Sequence, residues 1–476
     1  MTCVGVTLLN RKEKSASCER VQLGGLRGGL MGDAINLGTG VEWLPDEEGE
    51  LTIRSEFPAT MPEEPRWRHT YIMAGTGSGK SELMKLLIHH EMTANRAVVV
   101  IDAHSDLCEQ IARWPEFEES GRVVYVTPTL ADDRMPVINP LQVPKRADDR
   151  TKEVMAARLA MTIGEICSGK GGEDMSVRME LVANAALRVL LDMDTPTFID
   201  LRNMLREDAP EQLIRMGQQH RSEEVREMFR REWNLPDFRA SKNAMRQRLN
   251  RLLMQSDFRA MTCGPSTVRF YQFAETGRVM LFSLGTAGSD VAQTIGKLLV
   301  CMTTIVGELR KPTPENQRKP LHVFVDECQN FMGRSTLTIL EELRKFKVFL
   351  TLANQNIERL PGDVQTGLLT NAGVVMMGDG DIVPAMLRKL RTNVDAAQAL
   401  EPRRFLTRWG TRRTFELSAR SDLAVRKDAL EGTDWLAFKA RQRRQFYAAP
   451  AVVADTPETT ATAAWNGIEE FGRDID

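Results

Sequence analysis

The sequence lacks the marks of a secreted, membrane-spanning or metal-stapled chain. Its seven cysteines, at 3, 18, 108, 167, 263, 301 and 328, are odd in number and scattered, and no two form a CxxC pair. That argues against a disulfide framework or a structural zinc site and makes a reducing cytoplasm the expected setting. No apolar run is expected to reach the ~18 residues that cross a bilayer. The opening MTCVGVTLLNRKEK has no basic stretch followed by a sustained apolar one, so neither a signal peptide nor an intrinsic membrane anchor is expected there. Neither sign of charge dominates: 63 Lys and Arg face 65 Asp and Glu, a net of −2. This balance gives no global nucleic-acid signal, yet a groove or ring can gather basic residues locally.

What is present is a chain of 476 residues, 42% apolar and 27% charged, which is enough apolar material for a large core. At about 150 residues per domain this allows roughly three units. Residues 1–66 alternate short apolar stretches with glycines (VQLGGLRGGLMGDAINLGTG) and read as a small β-rich unit. From residue 67 apolar runs of strand length alternate with helical patterns: HTYIM, AVVVID, RVVYVT, RVMLFSL, LHVFVD, VFLTLA and AGVVMM. These runs barely alternate in polarity, as strands buried on both faces do, so an α/β core with a mostly parallel sheet between helices is expected. The core spans 67–145 and 263–420. Residues 146–262, where the strand runs stop and apolar residues recur at helical spacing, read as an all-helical insertion. Residues 421–476 read as a basic stretch followed by a flexible or docked tail.

Two motifs carry chemistry. Residues 74–81, AGTGSGKS, follow a strand and open a helix: a Walker A loop with Ala74 in place of the first glycine. Gly75, Gly77 and Gly79, with Thr76 and Ser78 between them, let backbone N–H groups close around a β-phosphate at a helix N-terminus. Lys80 is expected on the β- and γ-phosphate oxygens, Ser81 on Mg²⁺, and Glu82 completes the ATP-binding set. The second motif, LHVFVDECQN, ends a buried strand in Asp326 and Glu327. Asp326 suits Mg²⁺ and Glu327 suits polarisation of an attacking water, which favours hydrolysis over binding alone. A third strand, in LTLANQN, leads to Gln355, by itself equally well an ordinary loop glutamine or a sensor of the γ-phosphate.

The series RHTYIMAGTGSGKS, VVVIDAHSDL, VINPL, RVMLFSLGT, HVFVDECQNF and LTLANQNIERLP resembles the HerA/FtsK superfamily, above all HerA-type helicases and TraD/TraG-type coupling ATPases of conjugation. The resemblance covers about residues 66–410 and implies a RecA-like ATPase in a hexameric ring that moves DNA. It further implies ATP and Mg²⁺ as cofactors, Lys80 and Ser81 on phosphate and metal, Asp326 and Glu327 as the Walker B pair, and Gln355 as the sensor glutamine.

Where relatives often read Asp-Pro-His-Gly-Asp, this chain reads Asp102-Ala103-His104-Ser105-Asp106. Asp102 suits a metal-ordering role, while Ser105 or Asp106 suits an N-cap. Two departures matter. Coupling proteins usually carry N-terminal membrane helices, which are not seen in this sequence. Relatives often place an arginine after the strand matching AGVVMM, where this chain has Gly378 and Asp379. A ring motor is expected to use an arginine finger, and Arg359, Arg388 and Arg391 are the candidates.

For DNA, Arg239, Lys242, Arg246 and Arg248 lie in the acid-free stretch 238–256. Arg403, Arg404 and Arg408 are interleaved with Phe405 and Trp409, a pattern that suits single strands or a subunit interface. Arg334 follows the second motif. The expected function is an ATP-hydrolysing ring motor that translocates DNA in conjugation, DNA processing or a phage-defence complex, with a nuclease, relaxase or other effector as protein partner. Two alternatives are an ATPase that secretes or assembles polypeptides and a nucleotide-gated scaffold. Glu327 speaks against the scaffold, which needs no catalytic acid.

Overall fold

Valine and isoleucine fill the middle of the run AVVVID, and in the structure that run is the strand Ala97–Asp102, buried at every position. Its side chains alternate between two cores: Val98 and Val100 join one, Val99 and Ile101 the other. This double burial recurs along the chain and makes the fold. The structure is a computed structural model, described over residues 34–45, 51–118, 120–131, 133–144, 147–168, 177–423 and 426–449. The first part of the glycine-rich segment, to residue 33, and the tail from 450 lie outside the described residues.

The strands are β1 (Ile35–Pro45), β2 (Leu51–Met61), β3 (Thr70–Met73), β4 (Ala97–Asp102), β5 (Val123–Val126), β6 (Val279–Ser283), β7 (Leu321–Val325), β8 (Val348–Asn354), β9 (Val374–Met377), β10 (Arg404–Trp409) and β11 (Phe415–Ala419). They form one sheet in the order β2-β1-β11-β10-β9-β3-β8-β7-β4-β6-β5. The seven strands from β9 to β5 are parallel, with Ile72 opposite both Ala353 and Met376 and Val325 opposite Leu352. β10, β11, β1 and β2 extend the sheet antiparallel. The hairpin β1–β2 therefore continues the main sheet.

One face is covered by the helix Lys80–Thr93, through Leu83, Met84, Leu87 and Ile88, and by Gly432–Phe446, through Trp435 and Phe438. The other face holds the long helices Asp149–Ser168, Val177–Leu190, Pro236–Leu253 and Ser289–Leu309. Contrary to the expectation from the sequence, Ser289–Leu309 is long and apolar enough to cross a membrane, its few polar residues being spread among apolar ones. It packs in the core, with 83% of its apolar window buried.

Between β5 and β6 the described residues contain helices and no strand. Asn139, in VINPL, ties this block shut. Its amide donates to the carbonyls of Pro196 and Gly264, and its Oδ1 accepts from the Leu141 N–H. At the far edge of the sheet, Gln442 closes β5 as a further strand would, accepting from the Tyr125 N–H and donating to the Val123 carbonyl. The five cysteines among the described residues are buried and unpaired.

Candidate nucleotide site

β3 runs out at Met73, and the chain turns through residues 74–79 into the helix Lys80–Thr93. The turn needs its glycines: φ is +79° at Gly77 and +91° at Gly79, and a Cβ on Gly75 would stand 3.1 Å from the Asp379 carbonyl oxygen. Ala74 is accommodated because its methyl faces Gly378, where any side chain would collide with it. The Gly75 N–H donates to the Asp379 carbonyl at 2.6 Å, and Ser78 Oγ to the Gly75 carbonyl at 2.6 Å. The helix has no side-chain cap, and its first bond runs from Leu83 to Gly79. The N–H groups of Lys80, Ser81 and Glu82 are thus the uncapped donors at the positive end of a 14-residue helix, a form that suits a phosphate.

The second motif arrives from β7, two strands away across β8. Lys80 Nζ lies 2.9 Å from Asp326 Oδ1 and 2.5 Å from Glu327 Oε1, and all three side chains are buried. Burial works against the charge on Lys80, but Asp326 and Glu327 outweigh it and lift its pKa above the usual lysine value. Burial likewise works against ionised Glu327. The hydrogen bond from Gln329 and the contact with Lys80 prevail, so its pKa falls below the usual glutamate value. Glu327 also sits in the left-handed region, φ 47°, which turns its carboxylate back toward the loop.

Gln355 Nε2 reaches Glu327 Oε1 at 3.4 Å. Motif reading overlooked the group that holds Gln355 in place. Asn354, wholly buried at the end of β8, accepts from the Tyr71 hydroxyl at 2.7 Å and donates to the Asn356 carbonyl at 2.9 Å. The signal was available: two amides in sequence at the end of an apolar strand.

Asp102 is a cap. Its carboxylate accepts from the N–H groups of His104 and Cys108, both at 2.9 Å. Burial is the largest influence on its pKa, which is raised. This replaces the expectation that Ser105 or Asp106 caps the following helix; Ser105 Oγ instead accepts from the Gly285 N–H.

The basic candidates separate. Arg239 is exposed on Pro236–Leu253 and Arg246 is half-buried. Lys242 is buried, with Nζ 4.7 Å over the Trp233 ring, and burial lowers its pKa to about 8. It is thus removed from any role on the surface. Arg404 is neutralised by Glu401 at 2.8 Å and by Glu416. Phe405 and Trp409 are core side chains, so neither is free to stack on a base. Arg334 begins the helix Arg334–Glu342. Arg359, Arg388 and Arg391 are exposed.

Arg408 belongs to a group that spacing did not reveal. With Arg68 and Lys389 it lines a cavity of about 100 Å³, alongside Ala372, Gly373, Val375 and Gly410, and no acid is among the lining residues. The pKa of Lys389 is lowered by burial and then by Arg408 and Arg68. That of Arg408 is lowered by burial and then by Arg391. This cluster sits where β3 and β9 begin and β10 ends, the sheet edge opposite the phosphate loop.

Fold and site together define a P-loop nucleotide-binding protein on a RecA-like sheet. Comparison narrows the class. Residues 49–256 match the family described as the central domain of helicase HerA. No curated protein matches the sequence. Among solved structures, the conjugative coupling protein TrwB in its unbound monoclinic form shares the fold at TM-score 0.56 and 13% identity, over 78% of this chain and 90% of that one. TrwB with ADP and Mg²⁺ gives 0.55 and 14%, over 86% and 100%. VirB4 of Thermoanaerobacter pseudethanolicus gives 0.50 and 16%, over 83% and 98%. The chain thus has a P-loop ATPase fold and, over residues 49–256, is similar to the HerA central domain.

Proposed function

We propose that this chain hydrolyses ATP with Mg²⁺ and uses the energy to move DNA as a ring of identical copies. The observation that carries the reading is the joining of Lys80, Asp326, Glu327 and Gln355 at adjacent strand ends beside an uncapped helix. Lys80 and the helix N–H groups bind the phosphates. Ser81 and Asp326 would hold Mg²⁺, which supplies positive charge to the phosphate oxygens. Glu327, ionised at neutral pH, takes the proton of the attacking water. Gln355 orients that water, and Asn354 fixes Gln355.

The solved structures of TrwB with ADP and Mg²⁺ support the nucleotide, and the coupling-protein fold supports a motor of the conjugation or secretion type. In a head-to-tail ring the opposite sheet edge of one copy meets the phosphate loop of the next. The uncompensated cluster of Arg68, Lys389 and Arg408, with Arg391 beside it, stands on that edge. It suits charge on a neighbour's phosphates better than exposed Arg359 or Arg388. DNA contacts then fall to Arg239, Arg246, Arg334 and Arg403.

The test is ATP hydrolysis with single-stranded DNA, double-stranded DNA and none, over a range of salt. Stimulation that declines steeply with salt is expected of a grip on phosphates. Hydrolysis unmoved by any DNA at any salt would reject translocation and leave a polypeptide as the substrate.

A further inference from the structure

The antiparallel extension of the sheet does more than widen it, because the turn that enters β10 lies on the phosphate loop. A Cβ placed on Gly79 would meet Cβ and Cγ of Arg403 at 3.6 Å and its Cα at 3.7 Å. On the other side of the loop stand Asp379 and Gly380. Two segments far along the chain therefore clasp the residues that lead into Lys80.

Arg403 is an unusual choice for its position. The Arg404 N–H donates to the Glu401 carbonyl at 3.1 Å and closes a four-residue turn with Pro402 second and Arg403 third. At the third residue φ is +64°, the left-handed region. Proline second and positive φ third is the turn in which glycine or asparagine is favoured. A β-carbon there is strained, and strain at a binding loop points to a side chain with a task.

The charge of Arg403 also stands apart from its neighbours. Arg404 is paired with Glu401 and Glu416, and Arg408 donates to the Lys389 carbonyl at 2.8 Å. The exposed guanidinium of Arg403 has neither an acid nor a carbonyl partner among the described residues. It extends from a backbone that touches Gly79, the residue at the uncapped helix start. A free cation there adds to the field of Lys80 and the helix N-terminus on the same anion.

We propose that Arg403 is a phosphate contact acting in cis: its guanidinium binds the phosphate chain of the nucleotide held on its own copy's P-loop. The proposal rests on the reading of that loop as a nucleotide site and adds a binding residue that Walker motif spacing does not supply. It also removes Arg403 from the DNA contacts.

The test is titration of the full-length chain with a fluorescent ADP analogue, across a range of protein concentrations. Wild type is compared with Arg403→Gly, Arg403→Asn, Arg403→Lys and Lys80→Ala. Glycine and asparagine both suit φ +64°, so these variants should melt at or above the wild-type temperature. Both should bind ADP about tenfold more weakly at every protein concentration, as loss of a charge-assisted contact implies. Arg403→Lys should recover part of the loss, and competition by adenosine, which has no phosphate, should be unchanged.

Four results would overturn the inference. Unchanged ADP affinity with loss of DNA stimulation would make Arg403 a DNA contact. A loss shared equally by adenosine would make it a base contact. A loss seen only at concentrations where copies associate would place it at the interface. Wild type and Lys80→Ala binding ADP equally would reject the nucleotide site itself, and the contact with it.

Discussion

Lys80 and Glu327 meet at 2.5 Å, while Gln329 donates to the other oxygen of the same carboxylate at 2.8 Å. The phosphate-loop cation and the strand-end acid are thus one charge unit, although 247 positions separate them. Glu327→Gln keeps the shape and a hydrogen-bonding group but loses the base. ATP binding should persist while turnover declines about 10²–10⁴-fold, as for removal of a general base. Equilibrium binding and steady-state hydrolysis measured side by side would check this. Near-normal turnover would leave Glu327 a neighbour of Asp326 without a role in proton transfer.

The Tyr71–Asn354 pair makes a separate prediction, about positioning. Asn354→Leu strands the buried Tyr71 hydroxyl and should cost about 1–3 kcal/mol of stability. Turnover should decline more than ATP affinity, because the loop bearing Gln355 loses its anchor. Adding Tyr71→Phe removes the stranded hydroxyl, so stability should recover while turnover stays low. Recovery of both would show that Asn354 acts through stability alone.

His69 makes the fold sensitive to acid. It is buried at φ 73°, its Nδ1 accepts from the Leu350 N–H at 3.0 Å, and burial lowers its pKa to about 4. The unfolded chain takes up this proton near pH 6.5, well before the folded chain does. The contribution of His69 is therefore complete above about pH 6.5 and is lost as pH declines toward 4, a loss of about 2 kcal/mol by pH 5. His322, also held below its usual pKa by burial, acts with the same sign. His69→Asn tolerates the left-handed backbone and keeps an acceptor, so its melting temperature should drop less between pH 7 and pH 5. An unchanged pH slope would assign the acid sensitivity elsewhere.

Much of this arrangement is legible in the sequence because burial on both faces leaves apolar runs. HTYIM, AVVVID, VFLTLA and the others mark the seven parallel strands, and Lys80, Asp326 and Glu327 follow from where two of those strands, β3 and β7, end. The antiparallel extension is harder to read. β10 mixes buried and half-buried residues where β11 alternates them, and the arginines of β10 resemble a binding surface until pairing with β9 and β11 puts Phe405 and Trp409 in the core. Lys242 misleads in the same way, since its burial depends on Trp233, in the turn that precedes its helix. The cluster of Arg68, Lys389 and Arg408 has no local signature, because its members come from three separate segments that only the folded sheet brings together.

That cluster gives the sharpest test of a ring, because it can be separated from the phosphate loop. Lys80→Ala leaves the cluster intact and removes the phosphate-loop cation. Arg68→Glu leaves the loop intact and puts an acid beside Lys389, whose field now comes from Arg408 and Arg68. Each variant alone should hydrolyse ATP very slowly. If the cluster of one copy serves the nucleotide of the next, mixing the two variants creates interfaces that pair a sound loop with a sound cluster. About a quarter of randomly mixed interfaces would be of this kind, so activity should return to a fraction of the wild-type level that depends on the mixing ratio. If Arg68 acts within its own copy, or only supports the fold, no ratio restores hydrolysis. The melting temperature of Arg68→Glu separates those two failures: unchanged stability means action in cis, and a large decrease means a structural role.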